Sequence, residues 1–175
     1  MPASTSSAPT PAAPEPGKKA PSFSLKNQKD ETVKLADLKG QRIVLYFYPK
    51  ADTPGCTTQA CSIRDRAKDY KKAGVTVLGV SADEPEKLAA FKKKYKLPFD
   101  LLSDPSKKMI ERYGQWVEKS MYGKKYMGIQ RSTFIIGPTG KIEAYLPKVQ
   151  PKKHDDLVFK ALESLTPQPS GIENL

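Results

Sequence analysis

Residues 42 to 81 constrain the fold more than any other part of this chain. Arg42 to Tyr48, RIVLYFY, is a run of β-branched and aromatic side chains without polar alternation, the pattern of a strand buried on both faces. Pro49 stops it. After a short loop, a helix is predicted from about Thr53 to Lys72, with Thr53 as N-cap, Pro54 as first helical residue and Gly74 as the C-terminal signal. Val75 to Ser81, VTVLGVS, follows as a second buried strand. Strand, helix, strand is a parallel crossover unit, which requires a sheet with helices packed on it.

The remaining elements extend that sheet. Ala20 to Leu38 carries spaced apolar positions (Phe23, Leu25, Val33, Leu35, Leu38) suited to a small hairpin or entry strand. Glu84 to Lys94 reads as a helix, with Leu88 and Phe91 on one face and charges on the other. Phe99 to Leu102 is a short strand, and Ser106 to Tyr113 a short helix introduced by Asp104 and Pro105. Gly114 to Gln130 shows no clear period and is taken as a long loop or irregular strand. Ser132 to Ile136 and Lys141 to Leu146 flank the turn Gly137-Pro138-Thr139-Gly140 and form an antiparallel pair. His154 to Leu165 closes as an amphipathic helix, with His154 expected to be exposed at its start. Parallel strands, then a hairpin and a final helix, make an α/β chain of thioredoxin-like order, with a central mixed sheet flanked by helices.

A chain of 175 residues, 38% hydrophobic, suffices for one domain. It is assigned to residues 18–166. Pro2, Pro9, Pro11, Pro14 and Pro16 lie among Ala, Ser and Thr in residues 1–17, which reads as a disordered tail, and residues 167–175 read as a flexible one. No apolar run approaches the ~18 residues of a membrane span, and the N-terminus lacks the basic start and apolar core of a secretion signal. A cytoplasmic location is expected, with an organelle such as a plastid, or the nucleus, as the alternative. The net charge of +11 raises nucleic acid as a partner. The lysines are scattered, however, without a nucleic-acid motif around them, and a solvated basic surface is the expected reading.

Cys56 and Cys61 are the whole thiol inventory. In a chain expected to be intracellular, so close a pair points to redox or metal chemistry rather than a structural staple. Two thiolates do not complete a tetrahedral metal site, and the one histidine, His154, is distant in sequence. Redox chemistry is the expectation. Cys56 falls in the first helical turn, where unpaired N–H groups and the helix dipole favour a thiolate. On one ideal helix the two Cα atoms would lie roughly 8.6 Å apart, beyond the ~7 Å a disulfide spans, so a bond between them needs local unwinding.

Four residues separate the cysteines, against the two of a thioredoxin-type exchanger. A sharper resemblance is to the peroxiredoxins, whose P-x-x-x-T-x-x-C signature is matched by Pro49, Thr53 and Cys56. Cys61 resembles the second cysteine of the peroxiredoxin Q or bacterioferritin comigratory protein subgroup. Tyr122 to Ile136, YGKKYMGIQRSTFII, looks like the subgroup's second signature, with its arginine at Arg131, and Leu97 to Asp104 is similar as well. The likeness covers roughly Lys18 to Leu165. Gln59 and Ser62 depart from it, standing where many members have Glu and Asp.

The resemblance implies a thiol-dependent peroxidase acting on hydrogen peroxide and organic hydroperoxides. Cys56 would become a sulfenic acid, Cys61 would condense with it to a disulfide within the chain, and thioredoxin, or glutaredoxin, would restore both thiols. No metal, haem or flavin is implied, and a monomer is expected because both cysteines lie on one helix. Thiol activation alone explains little. Lowering a thiol pKa from ~8.5 to ~6 raises the thiolate fraction at neutral pH about 30-fold, while a Brønsted slope of ~0.45 removes about 13-fold in nucleophilicity. Donors aimed at the peroxide oxygens must supply the rest. Arg131, Thr53 and the Cys56 N–H are the candidates, with Pro49 shielding the sulfur from water.

Two readings stay open beside the peroxidase: a redox sensor or binding protein using the same cysteine switch, and a basic nucleic-acid-binding domain. Trp116, Tyr122, Tyr126 and Met127 are candidates for a peroxide entrance or partner face, or else for loop packing.

Overall fold

The computed structural model describes residues 12–165. Its centre is β3 (Arg42–Phe47), every residue of which is buried. β3 pairs in parallel with β4 (Val75–Ser81) and antiparallel with β8 (Ser132–Ile136). Among the described residues, six further strands complete the architecture: β1 (Ser24–Asn27), β2 (Thr32–Lys34), β5 (Asp100–Ser103) and β9 (Ile142–Leu146) in the main sheet, and a separate pair whose first strand is β6 (Trp116–Met121). The second strand of that pair is β7 (Lys124–Ile129). Main-sheet order is β2-β1-β5-β4-β3-β8-β9, with parallel pairing confined to β5-β4-β3. This is the mixed sheet the crossover unit predicts.

Strand alternation divides the core in two. Val44, Tyr46 and Tyr48 face one cluster together with Ala60 and Ile63 of α1 (Pro54–Asp65), Tyr70 of α2 (Ala67–Lys72), Leu88 and Phe91 of α3 (Pro85–Tyr95), and Val158 of α5 (His154–Glu163). Ile43, Leu45 and Phe47 face the other, with Met109 and Ile110 of α4 (Lys108–Arg112). Gly79 sits opposite Tyr46 in the parallel register, and a Cβ there would come within 2.9 Å of the Tyr46 ring and 3.0 Å of the Tyr48 ring. Its missing side chain is the space those rings occupy.

Three expectations are corrected. The helix predicted from Thr53 to Lys72 is two helices, broken at Arg66, whose φ of −109° and ψ of 20° leave the helical region. The break accompanies the Arg66 guanidinium lying 4.3 Å over the Phe159 ring of α5. Gly114 to Gln130, expected as a long loop or irregular strand, contains the regular antiparallel β6–β7 hairpin. Its turn residues, Tyr122 and Gly123, both have positive φ (50° and 79°), as a two-residue primed turn demands. His154, expected to be exposed, is buried: its Nε2 lies 2.7 Å from Thr133 Oγ1 on β8, because the start of α5 packs onto the sheet.

Residues 1–11 of the expected N-terminal tail and residues 166–175 lie outside the described residues. Residues 12–17 pack on the domain. The Gly17 N–H donates to Ile142 O at 2.7 Å, and Ala13 packs on the second core against Gly114, where any side chain would collide with it. Among the described residues no helix is long and apolar enough to cross a membrane.

Candidate active site

The C-terminal end of β3 delivers the chain to Pro49 and a loop held from two sides. The Ala51 N–H donates to Asp83 Oδ2 at 2.8 Å, and Asp52, in a left-handed conformation (φ 59°), accepts from Lys94 Nζ at 3.0 Å and Tyr95 OH at 2.9 Å. These contacts fix where α1 begins. Thr53 takes the extended N-cap conformation and Pro54 the first helical position, and Thr53 O accepts the Thr57 N–H at 2.8 Å. The Thr53 hydroxyl does not cap the helix. It donates to Lys50 O at 2.8 Å, which leaves its lone pairs as its remaining hydrogen-bonding capacity.

Cys56 stands in the first turn of α1 and is buried (1% exposed). Arg131, one residue before β8, reaches it across the end of the sheet: Nη1 is 3.5 Å from Cys56 Sγ and donates to Gln59 Oε1 at 2.7 Å. Gly55 makes the approach feasible, since a Cβ there would be 3.0 Å from Arg131 Nη2. Among the described residues Arg131 makes no ion pair. With a neutral amide at position 59 rather than a carboxylate, its charge remains directed at the sulfur.

Lys119 on β6 is a second cation within electrostatic reach of Arg131 and Cys56. Its stem runs over Gly128 of β7, with Cδ 3.2 Å from where a Cβ would stand. Burial first, and then the Arg131 guanidinium, hold its ammonium pKa below the usual lysine range, while the Cys56 thiolate acts in the opposite direction. On the inner side, burial, then neighbouring Tyr48 and Cys56, push the Tyr46 phenol well above its ordinary pKa, so it is neutral. His154 is held down to about 4 by burial, with Arg131 adding to the effect and Asp155 opposing it.

The structure therefore brings Cys56, Thr53 and Arg131 together at the start of α1, with half-buried Pro49 heading the same loop. Cys61 lies farther along α1, half-buried, and both thiols are free. Lys119 and Gly55 escape a reading of the sequence because each is defined by a neighbour remote in the chain. Of the aromatic and methionine candidates, Tyr122 at the hairpin turn is 98% exposed and Met127 44%, so neither lies in packed loop structure.

A buried cysteine at a helix start, faced by an arginine from a distant strand, invites comparison with known proteins. Residues 16–145 match the AhpC/TSA family. The chain belongs to that family. Within it, the chain is 51% identical over 144 residues to the peroxiredoxin Bcp of Escherichia coli K12, covering 82% of this chain and 92% of that one. The fold superposes on Xanthomonas campestris peroxiredoxin Q with a TM-score of 0.76 at 35% identity, over 81% of this chain and 90% of the other. A bacterioferritin comigratory protein of the same organism, studied for alkyl peroxide reduction through a trapped intermediate, gives 0.76 at 34% identity with the same coverage. This AhpC/TSA chain is thus a peroxiredoxin of the Q/bacterioferritin comigratory kind, with the thioredoxin-like fold, and an oxidoreductase that reduces peroxides through thiols.

Proposed function

We propose that Cys56 is the thiol that attacks peroxide, that Cys61 resolves it, and that thioredoxin, or glutaredoxin, reduces the resulting disulfide. The observation that supports this most directly is the Arg131 guanidinium 3.5 Å from Cys56 Sγ, held there by Gln59. Arg131 stays charged throughout and offers planar donors to both the thiolate and a developing oxyanion. The Cys56 N–H belongs to the first helical turn, where amide hydrogens have no intrahelical partner, and it serves the same oxygen. Thr53, its proton committed to Lys50 O, accepts a hydrogen bond from the peroxide O–H. Pro49 limits water at the sulfur.

In the first step the Cys56 thiolate attacks the terminal peroxide oxygen. An S–O bond forms, the O–O bond breaks, and the departing alkoxide or hydroxide takes a proton to leave as alcohol or water. In the second, Cys61 sulfur attacks the Cys56 sulfenic sulfur, and hydroxide leaves as water with the Cys61 proton. The alkyl peroxide reduction attributed to the Xanthomonas protein supports organic hydroperoxides as substrates beside hydrogen peroxide. With both cysteines on α1, one chain completes the cycle, and a monomer in the reducing cytoplasm is the setting we assign.

The test follows NADPH oxidation by thioredoxin reductase and thioredoxin on addition of hydrogen peroxide, with Cys56→Ser alongside. Sustained turnover lost in the variant is expected. Full turnover in Cys56→Ser would overturn the assignment, and consumption of one equivalent per chain followed by arrest would favour a redox sensor.

A further inference from the structure

The resolving step requires α1 to deform, and one carboxylate opposes that deformation. Cys56 and Cys61 share a helix that is continuous from Pro54 to Asp65, so their Cα atoms sit at roughly the 8.6 Å of an ideal helix, too far for a disulfide. The Cys56 end is buried and faces Arg131, whereas Cys61 is half-buried and near the helix break at Arg66. The end that can move is therefore the Cys61 end. It is tied down at the adjacent residue. Ser62 Oγ donates to Asp155 Oδ2 at the start of α5, and Asp155 Oδ1 accepts from Tyr70 OH on α2. Asp155 is only 4% exposed.

We propose that Asp155, through Ser62, is a positioning residue for the resolving step: it latches the Cys61 half of α1 in the wound form and so sets how fast the Cys56 sulfenic acid becomes a disulfide. The inference rests on the peroxidase cycle proposed above. A partly buried hydroxyl-to-carboxylate bond stabilises the wound helix selectively, because the unwound segment carries Ser62 away from Asp155 while Tyr70 stays on α2. Unwinding is a local opening whose population sets the resolving rate. Until Cys61 arrives, the sulfenic acid is exposed to a second peroxide. That peroxide transfers one oxygen to sulfur, leaves as alcohol or water, and yields a sulfinic acid. The latch thereby divides oxidised Cys56 between disulfide and sulfinate.

The experiment is single-turnover oxidation of the reduced full-length chain with hydrogen peroxide, quenched by alkylation and read by mass spectrometry for sulfenic acid, disulfide and sulfinate. Ser62→Ala is expected to raise the rate of disulfide formation about tenfold, the equivalent of about 1.4 kcal/mol, and to lower the sulfinate fraction at excess peroxide in proportion. Ser62→Thr, which keeps the donor, restores the parent rate. Asp155→Asn, close in shape, is measured in parallel so that a poorly folding alanine variant does not decide the matter. Amide hydrogen exchange over residues 58–63 accelerates in Ser62→Ala and Asp155→Asn, but not in Ser62→Thr, while that of β3 and β4 is unchanged in all three. Disulfide formation within twofold of the parent in both Ser62→Ala and Asp155→Asn, with sulfenic acid forming normally, would overturn the latch. Absence of every oxidised form of Cys56 in the parent chain, whether sulfenic acid, disulfide or sulfinate, would instead overturn the role proposed for Cys56 itself.

Discussion

The cysteine-arginine contact is made by three residues with different demands. Cys56 needs the first turn of a helix, Arg131 needs to enter from β8, and Gly55 needs to stay out of the way. Replacing Arg131 by Lys keeps a charge but loses the planar fork that serves Gln59 and the sulfur together. Stopped-flow oxidation of Arg131→Lys is expected to be more than tenfold slower in the peroxide step. Gly55→Ala places a methyl 3.0 Å from Arg131 Nη2 and displaces the guanidinium by a few tenths of an ångström. A several-fold loss in the same step is expected, with disulfide formation unaffected; an unchanged peroxide step would show that the approach of Arg131 tolerates the methyl. At this scale the sequence was informative where signals are local. Pro49, Thr53, Pro54 and Cys56 lie within one loop and helix start, and their backbone roles can be read from cap and proline chemistry. Arg131 is legible only through a family resemblance, and Lys119 not at all, because its electrostatic coupling to Arg131 and its packing over Gly128 exist only once the chain has folded and β6 and β7 have paired.

Elements buried on both faces announced themselves, and exposed ones did not. β3, β4 and β8 carry continuous apolar runs, and the structure places them within a residue of where those runs lie. The β6–β7 hairpin has charged residues on both strands and exposes most of β7, so no alternation marks it. Its one local signal is the Tyr122-Gly123 turn. The break between α1 and α2 is likewise invisible locally, since Arg66 is an ordinary helix former and its conformation accompanies a contact with α5. Within the sheet, Gly79 is the position where element geometry is least forgiving. A methyl there meets the rings of Tyr46 and Tyr48 at 2.9 and 3.0 Å, and both rings are locked in the core beneath α1. Gly79→Ala is expected to destabilise the chain by about 2 kcal/mol through overpacking, measured as a lower urea midpoint at unchanged slope. A midpoint equal to the parent's would mean the rings have room to shift.

For the whole molecule, the buried end of α5 makes stability depend on acid in a defined window. His154 has a pKa of about 4 in the folded chain, lowered by burial and by Arg131 against the opposing pull of Asp155. An unfolded histidine titrates near ~6.5. Above that value both states hold a neutral imidazole, and His154 imposes no pH dependence. As pH falls from about 6.5 toward 4, the unfolded chain takes up a proton that the folded chain refuses, so stability declines through this interval and the contribution levels off below it. The loss across the window is on the order of 3 kcal/mol. His154→Gln removes the titration while keeping an amide to bond Thr133 Oγ1. Urea denaturation of both proteins at pH 7 and pH 4 separates this group from the carboxylates common to them: the parent is expected to lose about 3 kcal/mol more than the variant between the two pH values. Parallel losses would mean that His154 is protonated in the folded chain well above pH 4, through opening of the α5 start or stronger coupling to Asp155. Such an opening would also loosen Asp155, the next residue, and with it the hold of α5 on Ser62, so mild acid would then speed disulfide formation as well as lower stability.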